Sequence, residues 1–263
     1  MTRITWGEVG TRYYENGVDR GVLYVGEADG VPWNGLTSVT ENVTGGAAKP
    51  YYLDGEKYLN VASREEYSAT LTAYTYPDEF EPCDGITQLR TGFLATNQRR
   101  QSFGLSYRTM VGNDVTPTAG YKVHIVYGVL ASPSQHAYKS ISTAQDPDDF
   151  SWLLTSLPPA AVSGYKRTSH FIVDSRNIDP DTMTGIEEIL YGTDTTAPRL
   201  PDIQEILDLI DVGDHLTVTD NGDGTYTMTA PDAALVMLDI GNFQITWDSV
   251  TDNGDGTFTA SSS

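Results

Sequence analysis

Cysteine is all but absent. The 263 residues hold one, Cys83, so no intrachain disulfide can form and stability has to come from burial. Positive charge is scarce as well: 16 Lys and Arg stand against 36 Asp and Glu, a formal charge of −20. Such a balance excludes a surface that grips nucleic acid by neutralising phosphates. It suits a merely soluble protein, and it also suits a conduit whose walls repel a passing polyanion. Beyond Arg199 there is no Lys or Arg at all.

No run of about 18 apolar residues occurs, and Met1-Thr2-Arg3-Ile4-Thr5-Trp6-Gly7 lacks the apolar core of a signal peptide. The reading is therefore a chain made in a cytoplasm, with no membrane span. Catalytic signatures are missing too. There is no Gly-x-Ser-x-Gly elbow, no phosphate-cradling Gly-Lys-Ser/Thr loop and no dinucleotide fingerprint. The four histidines, His124, His136, His170 and His215, are far apart in the chain and form no metal-binding spacing. His124 and His170 fall in strand-like runs and read as ordinary packed or surface residues. Carboxylates abound, but nothing singles out a glycosidase-like pair. The expectation is a non-enzyme with no cofactor, no metal and no catalytic residue, and with Cys83 inert.

What is present is β-forming sequence. Gly, Tyr and Thr are plentiful, and up to Ile178 apolar runs alternate with Gly, Pro, Asn and Asp punctuation. Gly21 to Val25 is one short run. Tyr51-Tyr52-Leu53, Asp54-Gly55 and Tyr58 to Val61 make a hairpin candidate, because Asp-Gly takes the positive φ angles of a tight turn. From Glu66 to Tyr76 the residues Tyr67, Ala69, Leu71, Ala73 and Thr75 share one face. Phe103 to Val111, Tyr121 to Ala131 and Arg167 to Val173 repeat the theme. The expected fold class is mainly β, a sandwich or barrel.

Two helices are expected after it. The first spans about 180–191, with Asp179 as N-cap, Pro180 at the first position, Met183, Ile186 and Leu190 at helical spacing, and Gly192 as the stop. The second spans about 201–211, with Ile203, Ile206, Leu207 and Ile210 on one face. The polar stretch 192–199 suggests a boundary, giving a β domain over 1–199 and, over 200–263, a linker helix with a small acidic β unit. That unit repeats itself: Val218-Thr-Asp-Asn-Gly-Asp-Gly-Thr-Tyr-Thr227 against Val250-Thr-Asp-Asn-Gly-Asp-Gly-Thr-Phe-Thr259. Two copies are too few for a solenoid, and two similar hairpins are the simpler account. The Asp-Asn-Gly-Asp-Gly turns invite calcium, but Gly222 and Gly254 occupy the third ligand position and no Glu follows at the twelfth.

The opening, Trp6-Gly7 through Gly10-Thr11-Arg12-Tyr13-Tyr14-Glu15-Asn16-Gly17 to Tyr24 and then Val31 to Leu36, resembles major tail proteins of long-tailed siphophages that infect actinobacteria. Pro50 to Tyr58, Ala73 to Phe80, Phe103 to Thr109, Tyr121 to Gly128 and the closing Met237-Leu238-Asp239 to Phe243–Trp247 carry the same resemblance. It covers nearly the whole chain, and its specificity lies in the combination. It implies a tail-tube β-sandwich or barrel with a flanking helix. Six copies would close a ring by pairing sheet edges, and rings would stack through loops and terminal arms. It implies as partners further copies of the chain, a tape-measure protein and tail-end or terminator proteins. Genomic DNA would pass an acidic lumen without specific binding, in a virion tail assembled in the host cytoplasm. The stacking loop would be the region 41–60, with Gly45, Gly46, Lys49, Tyr51, Tyr52, Asp54, Gly55 and Tyr58. The N-terminal arm, with Trp6, Arg12, Tyr13 and Tyr14, would be a second joint. The acidic C-terminal unit, with no Lys or Arg to grip DNA, is either an outward-facing appendage or an integral part of the ring, and a small outer module is the preferred reading. Other virion components, such as a decoration or tail-end protein, share this composition; a carbohydrate-binding module or glycosidase is the rival of a different class.

Overall fold

The computed structural model describes residues 4–44, 49–61, 66–134, 136, 149–162, 165–213, 217–220, 225–229, 249–252 and 257–261. In chain order the strands are β1 (Tyr14–Tyr24), β2 (Val31–Pro32), β3 (Leu36–Thr44), β4 (Lys49–Leu53), β5 (Glu56–Val61), β6 (Glu66–Ala73), β7 (Thr87–Arg90), β8 (Phe93–Ala95), β9 (Phe103–Gly112), β10 (Gly120–Ala131), β11 (Phe150–Ser156) and β12 (His170–Asp174). The helices α1 (Pro180–Tyr191) and α2 (Ile203–Gly213) come next, followed by β13 (Thr217–Asp220), β14 (Thr225–Thr229), β15 (Ser249–Asp252) and β16 (Thr257–Ser261). The protein is mainly β, as its punctuation of Gly, Pro and Asx predicts. It divides into two compact units, residues 1–178 with 187–201, and residues 179–186 with 202–263.

The first unit is built on one antiparallel sheet in the order β2-β1-β9-β10-β11-β6-β3, with β12 also pairing β10. β10 belongs to both halves of it. Its Lys122–Val126 stretch pairs β12 and its Val129–Ala131 stretch pairs β11. Between them the register with β9 slips after Val126, and Gly128 adopts φ +61°. The bulge and the glycine turn the strand, so the sheet folds over and faces itself.

The two halves cross steeply. A Cβ on Gly21 of β1 would meet Leu36 at the start of β3, whereas Glu41 of β3 lies against Tyr107 of β9, His124 of β10 and His170 of β12. Five residues of strand advance about 16 Å, close to the roughly 14 Å of three strand spacings, so β3 runs across the β1-β9-β10-β12 layer and not along it.

Between the halves, Leu23, Phe103, Leu105, Val126 and Val129 meet Ala69, Leu71, Ala73, Trp152 and Leu154. The gap is filled by aromatics: Phe80, on a 3-10 turn at Asp78–Phe80, packs edge-to-face on Trp152 (5.1 Å) and Phe103 (5.5 Å) and tilted against Trp33 (4.7 Å between ring centroids). Cys83 is buried in the same cluster, and burial pushes its thiol up to about 12, so it carries no reactive thiolate at neutral pH.

The other face of β1-β9-β10 is covered as well. Tyr24 donates to the Leu190 carbonyl at 2.7 Å, Tyr127 to the Pro201 carbonyl at 2.9 Å, and the Gly30 amide to the Pro198 carbonyl at 2.7 Å. Thus the last turn of α1 and the segment 198–201 lie over this face. Burial on both sides explains why Phe103 to Tyr107 reads as a continuous buried run and not as an alternating one.

In the second unit the Asp179 carboxylate accepts from the amides of Asp181 (2.9 Å) and Thr182 (3.3 Å), the cap expected from sequence. At the other end of α1, which belongs to the first unit, Gly192 with φ +78° stops the helix. The repeat becomes a four-stranded sheet, β13-β14-β16-β15. Asp220 pairs Tyr226 in one hairpin as Asp252 pairs Phe258 in the other. The hairpins join with Thr227 opposite Thr259, equivalent positions of the repeat, and Thr225 opposite Ser261. The sheet therefore has a local two-fold axis at that pair. Residues 221–224 and 253–256 of the calcium-like Asp-Asn-Gly-Asp-Gly turns, and the closing 237–247 motif, lie outside the described residues.

Candidate functional site

β3 and β6 are paired from Leu36↔Ala73 to Thr44↔Glu66, and the chain between them carries the hairpin β4–β5. The turn is the one the sequence specifies: Asp54 (φ +51°) and Gly55 (φ +82°) both take left-handed angles, which give the twist a two-residue hairpin needs. Tyr51 pairs Leu59 and Tyr52 pairs Lys57, leaving Tyr58 as the extra residue of a bulge. Every residue of both strands is exposed. Tyr52 keeps 65% and Tyr58 69% of its surface open, and Leu53, Leu59 and Val61 are exposed beside them. A hairpin that among the described residues pairs only with itself, with six large apolar side chains in solvent, adds nothing to the protein's own core. Six exposed apolar side chains on one hairpin make it a candidate contact surface. Lys49 opens β4; Gly45 and Gly46 lie outside the described residues.

The N-terminal arm forms a second, separate surface at the start of β1. The Gly10 amide donates to Asp114 (2.9 Å), and Asn113 donates back to the Gly10 carbonyl (3.1 Å), tying the arm to the β9–β10 loop. Arg12 donates to the Gly7 carbonyl at 2.8 Å, and Arg176 lies over the Tyr13 ring. Trp6 remains 84% exposed, with Ile4 and Val9 open alongside. Tyr14 begins β1 and lies over Gly112, where a Cβ would collide with its ring. β12, which pairs only β10 among the described residues, presents a free edge, and Ile172 on it is half exposed.

A third feature escaped the sequence. The row of β3 that carries Val39 continues to Glu41, and there the interior turns from apolar to polar. Tyr107 donates to Glu41 Oε1 at 2.6 Å; His124 Nδ1 lies 3.4 Å from that oxygen and 3.0 Å from His170 Nε2; Thr109 Oγ1 lies 3.0 Å from His124 Nε2. The Tyr107 and His124 rings stack at 4.6 Å, and Tyr67 packs 4.9 Å from His170. His124, with Tyr107 and the two imidazole charges, holds the Glu41 carboxyl down to about 2 against the effect of burial. Burial pushes Tyr67 up to about 12 and His170 below its ordinary 6.5. His136 is elsewhere, 3.5 Å from the Asp84 carboxylate that Arg100 also pairs at 2.9 Å. His215 lies outside the described residues. The one signal in the sequence was parity: His124 is two residues from the core residue Val126, so it points inward.

No protein-family model matches the chain, and no curated protein matches it. Among solved structures, similarity is found to a chain of the sheath–tube complex of an extracellular contractile injection system, PVC, in its extended state. The identity is 14%, the TM-score 0.34, and the match covers 59% of this chain and 88% of that one. A chain of the anti-feeding prophage baseplate matches at 9% identity and TM-score 0.33, over 65% of this chain and 97% of that one.

Proposed function

We propose that the protein is a structural subunit of a phage-type tail, and that it polymerises as stacked rings into the tail tube through which genomic DNA passes. The observation that carries this reading is the β4–β5 hairpin, exposed along its whole length and faced with Tyr51, Tyr52, Leu53, Tyr58, Leu59 and Val61. Aromatic residues with little conformational freedom are what a protein–protein joint is built from. The free edge of β12 and the arm around Trp6 supply contacts in other directions, as an assembly that both closes and extends requires. The resemblance of the sequence to siphophage major tail proteins supports the same role, with the hairpin reaching a neighbouring ring. The net charge of −20 is compatible with a lumen that repels DNA. The chain does no chemistry in this reading, and its partners are copies of itself, a tape-measure protein and the tail-end proteins.

Sedimentation velocity over a concentration series tests the role of the hairpin. The wild-type chain is expected to form large species at high concentration, and a Tyr52→Ala/Tyr58→Ala chain to remain a monomer. Equal behaviour of the two would remove the hairpin from the assembly.

A further inference from the structure

Three potential ligand atoms, one each from β3, β10 and β12, converge where the two halves of the sheet meet. We propose that Glu41, His124 and His170 bind a divalent transition-metal ion of the zinc class. One oxygen or nitrogen from each residue lies within 4.8 Å of the others. Zinc bonds of about 2.0–2.2 Å in a tetrahedral site place neighbouring ligand atoms about 3.3–3.5 Å apart. The cluster already has His124 Nδ1 at 3.4 Å from Glu41 Oε1 and at 3.0 Å from His170 Nε2, with Glu41 Oε2 3.7 Å from His170 Nδ1. Because the Glu41–His170 contact uses the other oxygen and the other ring nitrogen, a turn of the carboxylate or of the His170 ring that closes the widest separation, at most 4.8 Å, by about an ångström completes the site.

The surroundings fit a ligand role. A metal-bound imidazole ordinarily gives its second N–H to a nearby acceptor, which fixes the tautomer; Thr109 Oγ1, 3.0 Å from His124 Nε2, is such an acceptor. Tyr107 holds the carboxylate in place through its 2.6 Å hydrogen bond. His124 is buried, but the Glu41 side chain is 39% exposed, which gives the ion a way in. Two imidazoles and one carboxylate are a donor set for zinc, cobalt or nickel, and not for calcium or magnesium, which take oxygen. Three protein ligands leave a fourth position for water. Because each ligand comes from a different strand, the ion would clamp β3 to the β10–β12 edge. This inference does not rest on the assembly role.

The test uses the purified full-length chain, stripped with a chelator and titrated with Co²⁺ alone, whose visible spectrum reports tetrahedral nitrogen and oxygen ligands, and then with Zn²⁺ in competition. The expected result is a saturable one-to-one cobalt spectrum, displaced by zinc, with a rise in melting temperature on zinc addition. Glu41→Gln keeps the shape of the side chain and is partly exposed, so it should fold; with His170→Ala it should weaken binding at least about tenfold, far-UV circular dichroism being unchanged. Absence of a saturable spectrum in the wild-type chain overturns the proposal. So does a spectrum that Glu41→Gln leaves unaltered, which would put the metal on other carboxylates.

Discussion

The Tyr107 hydroxyl on β9 donates a 2.6 Å hydrogen bond to Glu41 on β3, joining two strands that share no ladder. The pair marks where the interior changes from aromatic packing to a polar cluster of Glu41, His124 and His170.

That cluster makes stability depend on pH. The Glu41 carboxyl, at about 2 against its ordinary 4.5, ionises more readily in the folded chain, so its contribution is present above about 4.5 and lost as the pH falls toward 2. His170, lowered from 6.5 by burial, is harder to protonate folded than unfolded, so acidification below about 6.5 favours the unfolded chain. Both effects have the same sign. In chelator, the melting temperature is expected to fall on acidification in two stages; Glu41→Gln should abolish the lower stage and deepen the upper one, because the Glu41 charge favours protonated His170. A melting temperature level from pH 7 to 4 would contradict the account.

Two glycines separate turn strain from steric conflict. Gly55 has φ +82° and open space where a Cβ would stand, so Gly55→Ala should cost about 1 kcal/mol and leave the fold intact. Gly128 has φ +61°, and its added Cβ would stand 2.3 Å from the Leu157 carbonyl oxygen. Gly128→Ala is therefore expected to cost about 2–4 kcal/mol, because it strains the corner where β10 passes between the two halves. Denaturant unfolding of both variants checks the ranking.

Asp179→Ala removes the acceptor for two amides at the start of α1 and is expected to destabilise by about 1 kcal/mol. Asp179→Ser, which keeps a capping oxygen, should recover most of that loss in the same thermal melt.

Much of the architecture is written locally. Asp54-Gly55 sets the β4–β5 turn, Asp179-Pro180 and Gly192 bracket α1, and the repeated Val-Thr-Asp segments give the two hairpins of the C-terminal sheet. Other elements carry weaker signals. The β3 segment Leu-Thr-Ser-Val-Thr-Glu-Asn-Val-Thr is polar for a strand, and Glu41 stands on the same row as the core-packed Val39. β11 and the β7–β8 hairpin have neither an Asx-Gly turn nor a long apolar run. The histidine cluster was illegible for a different reason. His124 and His170 stand 46 residues apart in sequence, and they meet Glu41 only because β12 adds beside β10 and β3 crosses over both. No spacing rule captures a site made by three strands of one folded sheet.

The central claim concerns assembly, and negative-stain electron microscopy of the purified chain over a concentration series tests it most directly. The account predicts rings or tubes with sixfold end views for the wild-type protein, and isolated particles for Tyr52→Ala/Tyr58→Ala at the same concentrations. Particles that stay monomeric at the highest wild-type concentration, together with absence of this chain from intact tails, would contradict it.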